Sequence, residues 1–559
     1  MLVSWLRRIP NFVAGLLAGV TAAVLMTLVM VLSRYYLGIM PPPESVPDRV
    51  ASTLDIATFF RLFGEYGGYN GLKQFGIMSG LRGLFAAGAI VGVLYALVVE
   101  SVPSRRSSRW ILGTSMPAFL FMIVSILAVW IGFVIFLWPV LPSNFRGVPY
   151  SQARILSIVA LLVWFTTFGL TVLGVYRFIG IRAIGKPTVA EVESSNVSTT
   201  PQRVVQPLAR TSNRRAILTA GAAAGLTFPI FRLLERMFDD ATFTYDGQTF
   251  HRDTITPITP TELFYTVTKN VVDPEIDQDL WRLEIGGNVD DPKTYSFDDF
   301  QGFEQIDQET TLMCISNNVG SGLFSNANWR GVRLRDLLNA SGVQAGAVEV
   351  LVSGADAFSD TFGIDKAMAE ETLVVYQING EPLPRKHGYP VRIIVPGLYG
   401  EKNVKWVTRV EVVDHDAKGF YEKQGWGPDF VPKVRSDVFA PFLARDQRQK
   451  TRGQWIIRDQ FRANDAIELK GRAFAPDEGI GSVEVSTDNG ATWNPAELYY
   501  PGTEITWALW SYTWRPTAAG EYVVIPRCTS RTGELQPAEP QRTVPQGAQG
   551  YHKVIALIK

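Results

Sequence analysis

The residues best suited to chemistry in this chain are one cysteine and a downstream group of cationic side chains. Cys314 is one of two cysteines among 559 residues and follows a β-rich run. A thiolate is a soft metal ligand, so a lone thiol in this position is a candidate metal ligand. His387, Arg392, Lys402 and Lys405 lie in a later apolar segment that is rich in Pro and Gly.

Arg392 carries the strongest local signal of the group. It stands between Val391 and Ile393, and burying a guanidinium without an anionic partner is very costly. The other members have ordinary alternatives. Free cysteine is often an inert buried residue, His387 in a Pro/Gly turn can be structural, and the two lysines can be charges at a strand edge.

The order of four segments resembles the sulfite oxidase family of molybdenum-pterin enzymes. They are Leu-Glu-Ile-Gly-Gly-Asn-Val-Asp-Asp-Pro at residues 283–292, the Cys314 segment, the His387 segment and a C-terminal β domain. The resemblance implies that Cys314 binds molybdenum beside a molybdopterin. The resemblance also implies which residues contact the cofactor, namely His387, Arg392, Lys402, Lys405, Tyr265 and Asn270. It further implies an active-site tyrosine, whose position is occupied here by Tyr421 or Trp426.

The resemblance is weakest at the substrate position. Sulfite oxidases follow the cysteine segment with adjacent arginines, whereas this chain has Asn317 and Asn318. We therefore expect oxygen-atom transfer on a small sulfite-like or S-oxide substrate, with a sulfoxide reductase as the alternative. A cofactor-free, membrane-tethered binding protein is the alternative from another class.

Length and charge restrict the remaining interpretation. A chain of 559 residues exceeds one hydrophobic core, which predicts a multi-domain protein. Its formal net charge is zero, which argues against a nucleic-acid partner. Two cysteines cannot form a disulfide framework.

The first third of the chain is membrane-like. Uncharged apolar runs occupy residues 11–32, 83–99, 111–141 and 155–176, each near the length of a spanning helix. They predict an all-α transmembrane bundle over residues 1–184, embedded in the lipid bilayer. Cationic residues flank these runs, and the positive-inside rule predicts that the flanked ends of the spans lie on the cytoplasmic side of an inner membrane. They are Arg7, Arg8, Arg105, Arg106, Arg109, Arg177, Arg182 and Lys186.

Residues 185–213 are rich in Ser, Thr, Pro and Val and predict a cytoplasmic linker. Arg214 and Arg215 then precede an uncharged run rich in Ala and Gly, so residues 214–238 resemble a twin-arginine signal and a fifth membrane segment. A tether lying on the inner face is the alternative. A fifth crossing predicts a catalytic domain on the outer, periplasmic face.

No haem is expected, because His251 is the first histidine and bis-histidine ligation in the bilayer needs earlier ones. Electrons are therefore expected to pass to a separate carrier, a cytochrome or a quinone.

The rest of the chain predicts two soluble domains. Short β-rich runs alternating with brief helices over residues 239–447 predict an α+β molybdopterin domain. Short alternating strands over residues 448–559 predict a β-sandwich. The resemblance makes that sandwich immunoglobulin-like and implies that it can form a homodimer.

Overall fold

The structure is a computed structural model that describes residues 9–66, 69–101, 110–111, 114–180, 210–239, 255–441, 443–445 and 455–559. The chain divides into two compact units. The first contains Met1–Arg49, Leu72–Leu141 and Ala153–Ala241, and the second contains Val50–Gly71, Pro142–Gln152 and Thr242–Lys559. Two short connections between helices of the first unit therefore belong to the second unit.

The first unit is helical. Its long helices are α1 (Ile9–Leu37), α4 (Tyr69–Ser101), α5 (Met116–Leu137), α6 (Tyr150–Gly180) and α7 (Arg210–Asp239), with the short α2 (Pro42–Ala51) and a hairpin of β1 (Trp110–Ile111) and β2 (Thr114–Ser115) between them. Of these, α1, α4, α5 and α6 are long and apolar enough to cross a membrane. This matches the four predicted runs, although α4 begins well before residue 83.

Glycine allows two of these helices to approach closely. A Cβ built on Gly19 would lie 2.0 Å from the carbonyl oxygen of Gly88, and one on Gly92 would lie 2.1 Å from that of Gly15. Gly15 and Gly19, like Gly88 and Gly92, are four residues apart on one helix face. Such small residues at a shared face are typical of helix packing in membranes, where lipid provides no hydrophobic drive.

Helix α7 contains the predicted fifth segment. Its apolar part is Ile217–Ile230, shorter than a usual span, and Ile230 packs against Val24 and Val31 of α1. The predicted linker and most of the flanking arginines lie outside the described residues. The backbone of Arg214 and Arg215 is helical.

The second unit contains an α+β domain with two sheets. One is ordered β10-β9-β6-β5, with β11 also paired to β9, and the other β4-β3-β12-β7-β8. The strands are β3 (Leu283–Gly287), β4 (Lys293–Tyr295), β5 (Ile306–Met313), β6 (Phe324–Arg333), β7 (Glu349–Gly354), β8 (Ser359–Gly363), β9 (Leu373–Ile378), β10 (Glu381–Pro382), β11 (Arg392–Ile394) and β12 (Val407–Val413). The helices of the unit are α3 (Ile56–Glu65), α8 (Leu334–Ser341), α9 (Ile364–Ala367) and α10 (Phe420–Lys423).

Alternating side chains explain why β12 is central. Val407, Val410 and Val412 are fully buried or nearly so and join one core with Trp281 and Leu337. β-Branched residues fit such a packed, pleated surface. This core holds β11 and the segment between β11 and β12, where most of the predicted cationic residues lie.

The C-terminal part is all β, in two sheets ordered β13-β16-β20-β19 and β14-β15-β22-β21-β17-β18. Its strands are β13 (Arg435–Ala440), β14 (Leu443–Arg445), β15 (Trp455–Ile457), β16 (Ile467–Phe474), β17 (Ile480–Ser486), β18 (Asn494–Pro495), β19 (Glu497–Tyr500), β20 (Ala508–Trp514), β21 (Gly520–Ser530) and β22 (Val554–Ile558). The predicted order of a helical, an α+β and an all-β part is confirmed. The immunoglobulin-like topology and the domain boundaries stay predictions.

A buried ion cluster ties the C-terminal strands to the loop that contains Cys314. Asp437 accepts a hydrogen bond from the Gly320 amide at 3.0 Å and pairs with Arg435 and Arg472 at 3.3 and 3.8 Å. All three charged side chains are at most 3% exposed. Arg472 also donates to the carbonyl oxygen of Phe324. A single carboxylate therefore compensates two buried guanidinium groups.

We expect Asp437→Asn to destabilise the protein strongly, because two buried arginines would lose their counter-charge. The loss should be about 3–5 kcal/mol in the free energy of unfolding, measured by chemical denaturation. Asp307→Asn is the matched control. Asp307 pairs with Arg330 at 2.6 Å at the surface, so its loss should cost about 0–1 kcal/mol. Equal effects of the two changes would contradict the role of Asp437.

Candidate active site

One pocket in the α+β domain brings together most of the predicted chemical residues. Cys314, Tyr265, His387, Arg392, Lys405 and Tyr421 all line it, together with the unpredicted Asp356 and Glu401. These residues come from the segment before β3, the end of β5, the turn between β7 and β8, β11 with its flanking segments, and α10. The pocket joins a thiol to a group of buried cations.

The loop after β5 fixes the position of Cys314. The amide of Cys314 donates to the carbonyl oxygen of Leu323 at 3.0 Å, and the Asn317 amide donates to that of Cys314 at 2.9 Å. The Asn317 side chain accepts from the Leu323 amide, which closes the loop. Asn317, which stands where sulfite oxidases have an arginine, is thus a structural residue here.

Burial strongly disfavours the Cys314 thiolate when no metal is bound. The side chain is buried, its sulfur lies 3.1 Å from the Ser316 hydroxyl, and its pKa is raised to about 12, first by burial and then by the nearby Glu401 carboxyl. A coordinated metal removes the thiol proton, because its charge stabilises the thiolate. The thiol is therefore suited to metal binding and not to free nucleophilic chemistry at neutral pH.

A glycine brings the cations together. Gly388 has φ +111°, and a Cβ built on it would lie 3.1 Å from the Cβ atoms of both Arg392 and Lys405. The turn before it holds His387, whose Nε2 lies 3.2 Å from the carbonyl oxygen of Thr261. A larger residue at Gly388 would push apart the side chains of Arg392 and Lys405.

Carboxylates compensate the charge of this cluster only in part: Asp273 and Asp356 favour the charged form of Lys405 but do not offset its burial. Arg392 donates to the carbonyl oxygens of His387 and Asn403 at 3.2 and 3.0 Å and stacks on Trp329, and its Nε finds no partner in the described structure. Burial lowers the pKa of Arg392 to about 10 and that of Lys405 to about 8. Burial, followed by the charge of Arg392, also lowers the pKa of His387. We name His387, Arg392 and Lys405 the anion-binding cluster, because a guanidinium and an ammonium beside an imidazole suit an anionic ligand.

Tyr265 and Asn270 have different places. Tyr265 lines the pocket, and a Cβ on Gly400 would lie 2.2 Å from its hydroxyl, so that glycine leaves room for the ring. Asn270 is buried and donates to the Asp356 carboxylate at 2.8 Å. Asn270 therefore positions a residue of the pocket wall and does not itself line the pocket.

Lys402 is already paired in the structure. Its ammonium lies 2.7 Å from the Asp360 carboxylate and 3.5 Å from that of Glu422, and it sits over the Phe430 ring. Asp360 is 0% exposed, and burial raises its pKa to about 6 although Lys402 opposes the rise. The predicted cofactor contact of Lys402 stays a prediction, and a phosphate there would compete with two carboxylates.

Sequence reasoning missed Glu401. Glu401 is 8% exposed, and within the described residues neither of its carboxyl oxygens accepts a hydrogen bond. Burial, followed by the charge of Asp360, raises its pKa to about 8, and the backbone amides of Glu401 and Ile315 offset this only in part. A buried carboxyl without a partner marks a place where a ligand group can bind. The only signal in the sequence was its place between Gly400 and Lys402.

Comparison with known proteins agrees with this site. Residues 270–421 match the family model described as the oxidoreductase molybdopterin binding domain. The uncharacterized oxidoreductase YuiH of Bacillus subtilis is 31% identical over 150 residues, which cover 27% of this chain and 74% of that protein. The mitochondrial sulfite oxidase of Drosophila melanogaster is 30% identical over 292 residues, which cover 45% of this chain and 50% of that protein.

Among solved structures, the sulfane dehydrogenase SoxCD of Paracoccus pantotrophus matches with 21% identity and a TM-score of 0.48, covering 55% of this chain and 85% of that one. This chain spans about half the length of the sulfite oxidases it matches.

The pocket belongs to a molybdenum-cofactor oxidoreductase, and the chain is a member of the sulfite oxidase family. The cofactor is a molybdenum-pterin, and the residues present fit it. The anion-binding cluster can hold its phosphate, because a planar guanidinium forks onto phosphate oxygens while lysine acts as a point charge. The buried Cys314 thiol can hold the metal. Family membership excludes the cofactor-free binding protein.

The pKa of Glu401 leads to a prediction about stability and pH. Its folded value of about 8 lies above the ordinary value of 4.5, so between these pH values the folded state keeps a proton that the unfolded state releases. The stability of cofactor-free protein should fall as pH rises from 4.5 through 8. Glu401→Gln should remove this part of the fall, on the order of 3 kcal/mol, in chemical unfolding curves measured at pH 5 and pH 9.

The exposed Glu381 provides the control, since Glu381→Gln should leave the pH dependence unchanged. A Glu401→Gln variant whose stability follows the wild-type pH curve would show that Glu401 ionises normally in the folded protein.

Proposed function

We propose that this chain is a membrane-anchored oxidoreductase that transfers an oxygen atom between water and a small S-oxo compound and exchanges electrons with a separate carrier. One observation carries the proposal. The Cys314 thiol and the anion-binding cluster of His387, Arg392 and Lys405 line the same pocket. Metal ligand and phosphate site are thus arranged for one cofactor.

The bound cofactor supplies a metal with a two-electron couple for oxygen-atom transfer. The chain binds and positions it. Cys314 would hold the metal from a loop fixed at Asn317, while Arg392 in β11 and Lys405 in the segment before β12 would hold the phosphate. Tyr421 lines the pocket, and its hydroxyl would orient a substrate oxygen. The apolar rings of Phe264 and Phe358 line the same pocket and limit the access of water.

The charges near the thiol bear on the substrate. The name of the Drosophila relative suggests sulfite as the substrate class, and sulfite is an anion. Near Cys314, however, the cations are committed: Lys402 pairs with Asp360, and Arg435 pairs with Asp437. Glu401 adds a carboxyl to the pocket. These observations favour the second candidate, a reductase of neutral S-oxides.

A membrane-soluble quinone is the electron carrier we favour over a soluble cytochrome. The helical unit contains a cavity of about 360 Å³ with an almost wholly apolar lining. The small residues Gly83, Ala87 and Gly88 of α4 line this cavity. Met122 of α5 and Phe168 of α6 also line it. A cavity of this size and chemistry suits an isoprenoid chain.

Chain connectivity supports the periplasmic placement. Residues 50–71 and 142–152 belong to the same compact unit as residues 242–559, so these connections share one side of the membrane with the soluble domains. The chain after α6 then lies on the opposite side and must cross once more before residue 242. Helix α7 is the described helix between these points, which supports a fifth crossing and argues against a surface tether.

Protease accessibility tests the five-crossing topology. Added protease should digest residues 255–559 in spheroplasts with intact inner membranes, because this region is on the outer face. A cytoplasmic marker protein in the same sample must survive, as a control for membrane integrity. Protection of the soluble domains until the cells are lysed would overturn the topology.

Replacing the metal ligand tests the proposed function. Cys314→Ser should lower turnover by at least about a thousandfold, because the thiolate that holds the metal is lost. Cys528→Ser is the matched control: it alters the other buried cysteine, which is remote in sequence and lies in β21. Activity and molybdenum content are measured for both, and circular dichroism checks the fold. Full turnover by Cys314→Ser would contradict the proposal.

The same assay distinguishes the two substrate classes. A sulfite oxidase reduces an artificial acceptor when sulfite is added, whereas an S-oxide reductase reoxidises a reduced viologen dye when a neutral sulfoxide is added. Molybdenum-loaded protein that does neither would overturn both candidates.

A further inference from the structure

The connection between the first two candidate spans packs onto the catalytic domain. Helix α3 begins after Asp55, whose carboxylate caps it by accepting a hydrogen bond from the Thr58 amide at 3.0 Å. The helix contains three neighbouring aromatic rings, Phe59, Phe60 and Phe63, with centroids 5.6–6.4 Å apart. A short helix with an aromatic face needs a partner surface to be stable.

The partner surface is the turn that follows Tyr421. The amide of Ile56 donates to the carbonyl oxygen of Gln424 at 2.9 Å, and the Gln424 side chain donates to the carbonyl oxygen of Ala51 at 2.8 Å. Gln424 is 2% exposed. One residue thus binds both ends of the segment that leads into α3. We name this pair of hydrogen bonds the Gln424 clasp.

Aromatic packing extends the contact to the pocket. The Phe60 ring lies 5.9 Å from Trp426, and Trp426 lies 5.7 Å from Tyr421 at 86°. The amides of Gln424 and Trp426 both donate to the carbonyl oxygen of Tyr421, at 3.0 and 3.1 Å. Tyr421 is therefore fixed from two sides, by its own turn and by the Trp426 ring that Phe60 supports.

The same apolar cluster reaches the metal ligand. Ile56 and Phe60 pack against a cluster that includes Trp426 and the residues on either side of Cys314, Met313 and Ile315. Closely packed interiors transmit small shifts, because side chains cannot move independently. A change at Phe60 can therefore be felt at the wall that faces the substrate.

We propose that residues 50–66 are a positioning element of the catalytic pocket, in which Phe60 and the Gln424 clasp hold the turn that carries Tyr421 and Trp426. The inference rests on the proposed function in one respect, namely that Tyr421 faces the substrate. Phe60 and Gln424 are positioning residues, because neither lines the pocket. A connection between two candidate spans thereby contributes to the active site.

The test compares full-length, molybdenum-loaded Phe60→Ala with the wild type. We expect kcat/KM for the oxo substrate to fall about threefold to thirtyfold. The KM for the electron acceptor and the content of molybdenum and pterin should stay unchanged, which a general loss of structure would not produce. Hydrogen–deuterium exchange should be faster at the amides of residues 421–426.

Two variants serve as controls. Phe60→Tyr keeps the ring and should restore at least half of the wild-type kcat/KM. Arg61→Ala changes an exposed neighbour on the same helix and should behave as the wild type. The positioning role is overturned if Phe60→Ala keeps both wild-type kcat/KM and wild-type exchange. It is also overturned if Arg61→Ala lowers kcat/KM as much as Phe60→Ala.

Failure of the proposed function would look different. In that case the wild type itself would hold no molybdenum and turn over no oxo substrate, while the exchange comparison would still decide whether Phe60 holds the turn.

Discussion

The site is organised around buried positive charge that the described residues neutralise only in part. Arg392 is held by carbonyl oxygens and a Trp329 ring, and Lys405 by another carbonyl and the ring of Trp406. These contacts orient the cations without cancelling their charge. We therefore expect cofactor binding to stabilise this domain. A phosphate would compensate the desolvation of Arg392 and Lys405, which is compensated only in part in the cofactor-free protein.

Much of the fold was predictable because its signals are local. Apolar runs near the length of a span identified four helices, and alternating strands identified the all-β part. What the sequence could not indicate was that residues 50–71 and 142–152 pack in the soluble unit. That depends on contacts such as Asn144 with Ala355, whose partners are hundreds of residues apart and carry no distinctive local pattern.

The site shows the same division. Arg392 was predictable because its apolar neighbours require burial, and Cys314 because of the order of segments around it. The pairing of Lys402 with Asp360 and of Asn270 with Asp356 was not, because Asp360 in β8 and Asp356 in the turn before it are remote in sequence from their partners. Glu401 was missed for a related reason: a carboxyl beside a lysine is usually solvated, and only the fold reveals that it is enclosed.

The Asp437 cluster has a consequence for the order of events in biosynthesis. The loop after Cys314 is anchored by hydrogen bonds from Gly320 to Asp437 and from Arg472 to Ser321. Beside them, His552 accepts a hydrogen bond from the Val438 amide. These anchors emerge from the ribosome long after the cysteine. We therefore expect the cysteine loop to acquire its final shape only when the chain is nearly complete, and metal insertion to follow the synthesis of the C-terminal strands.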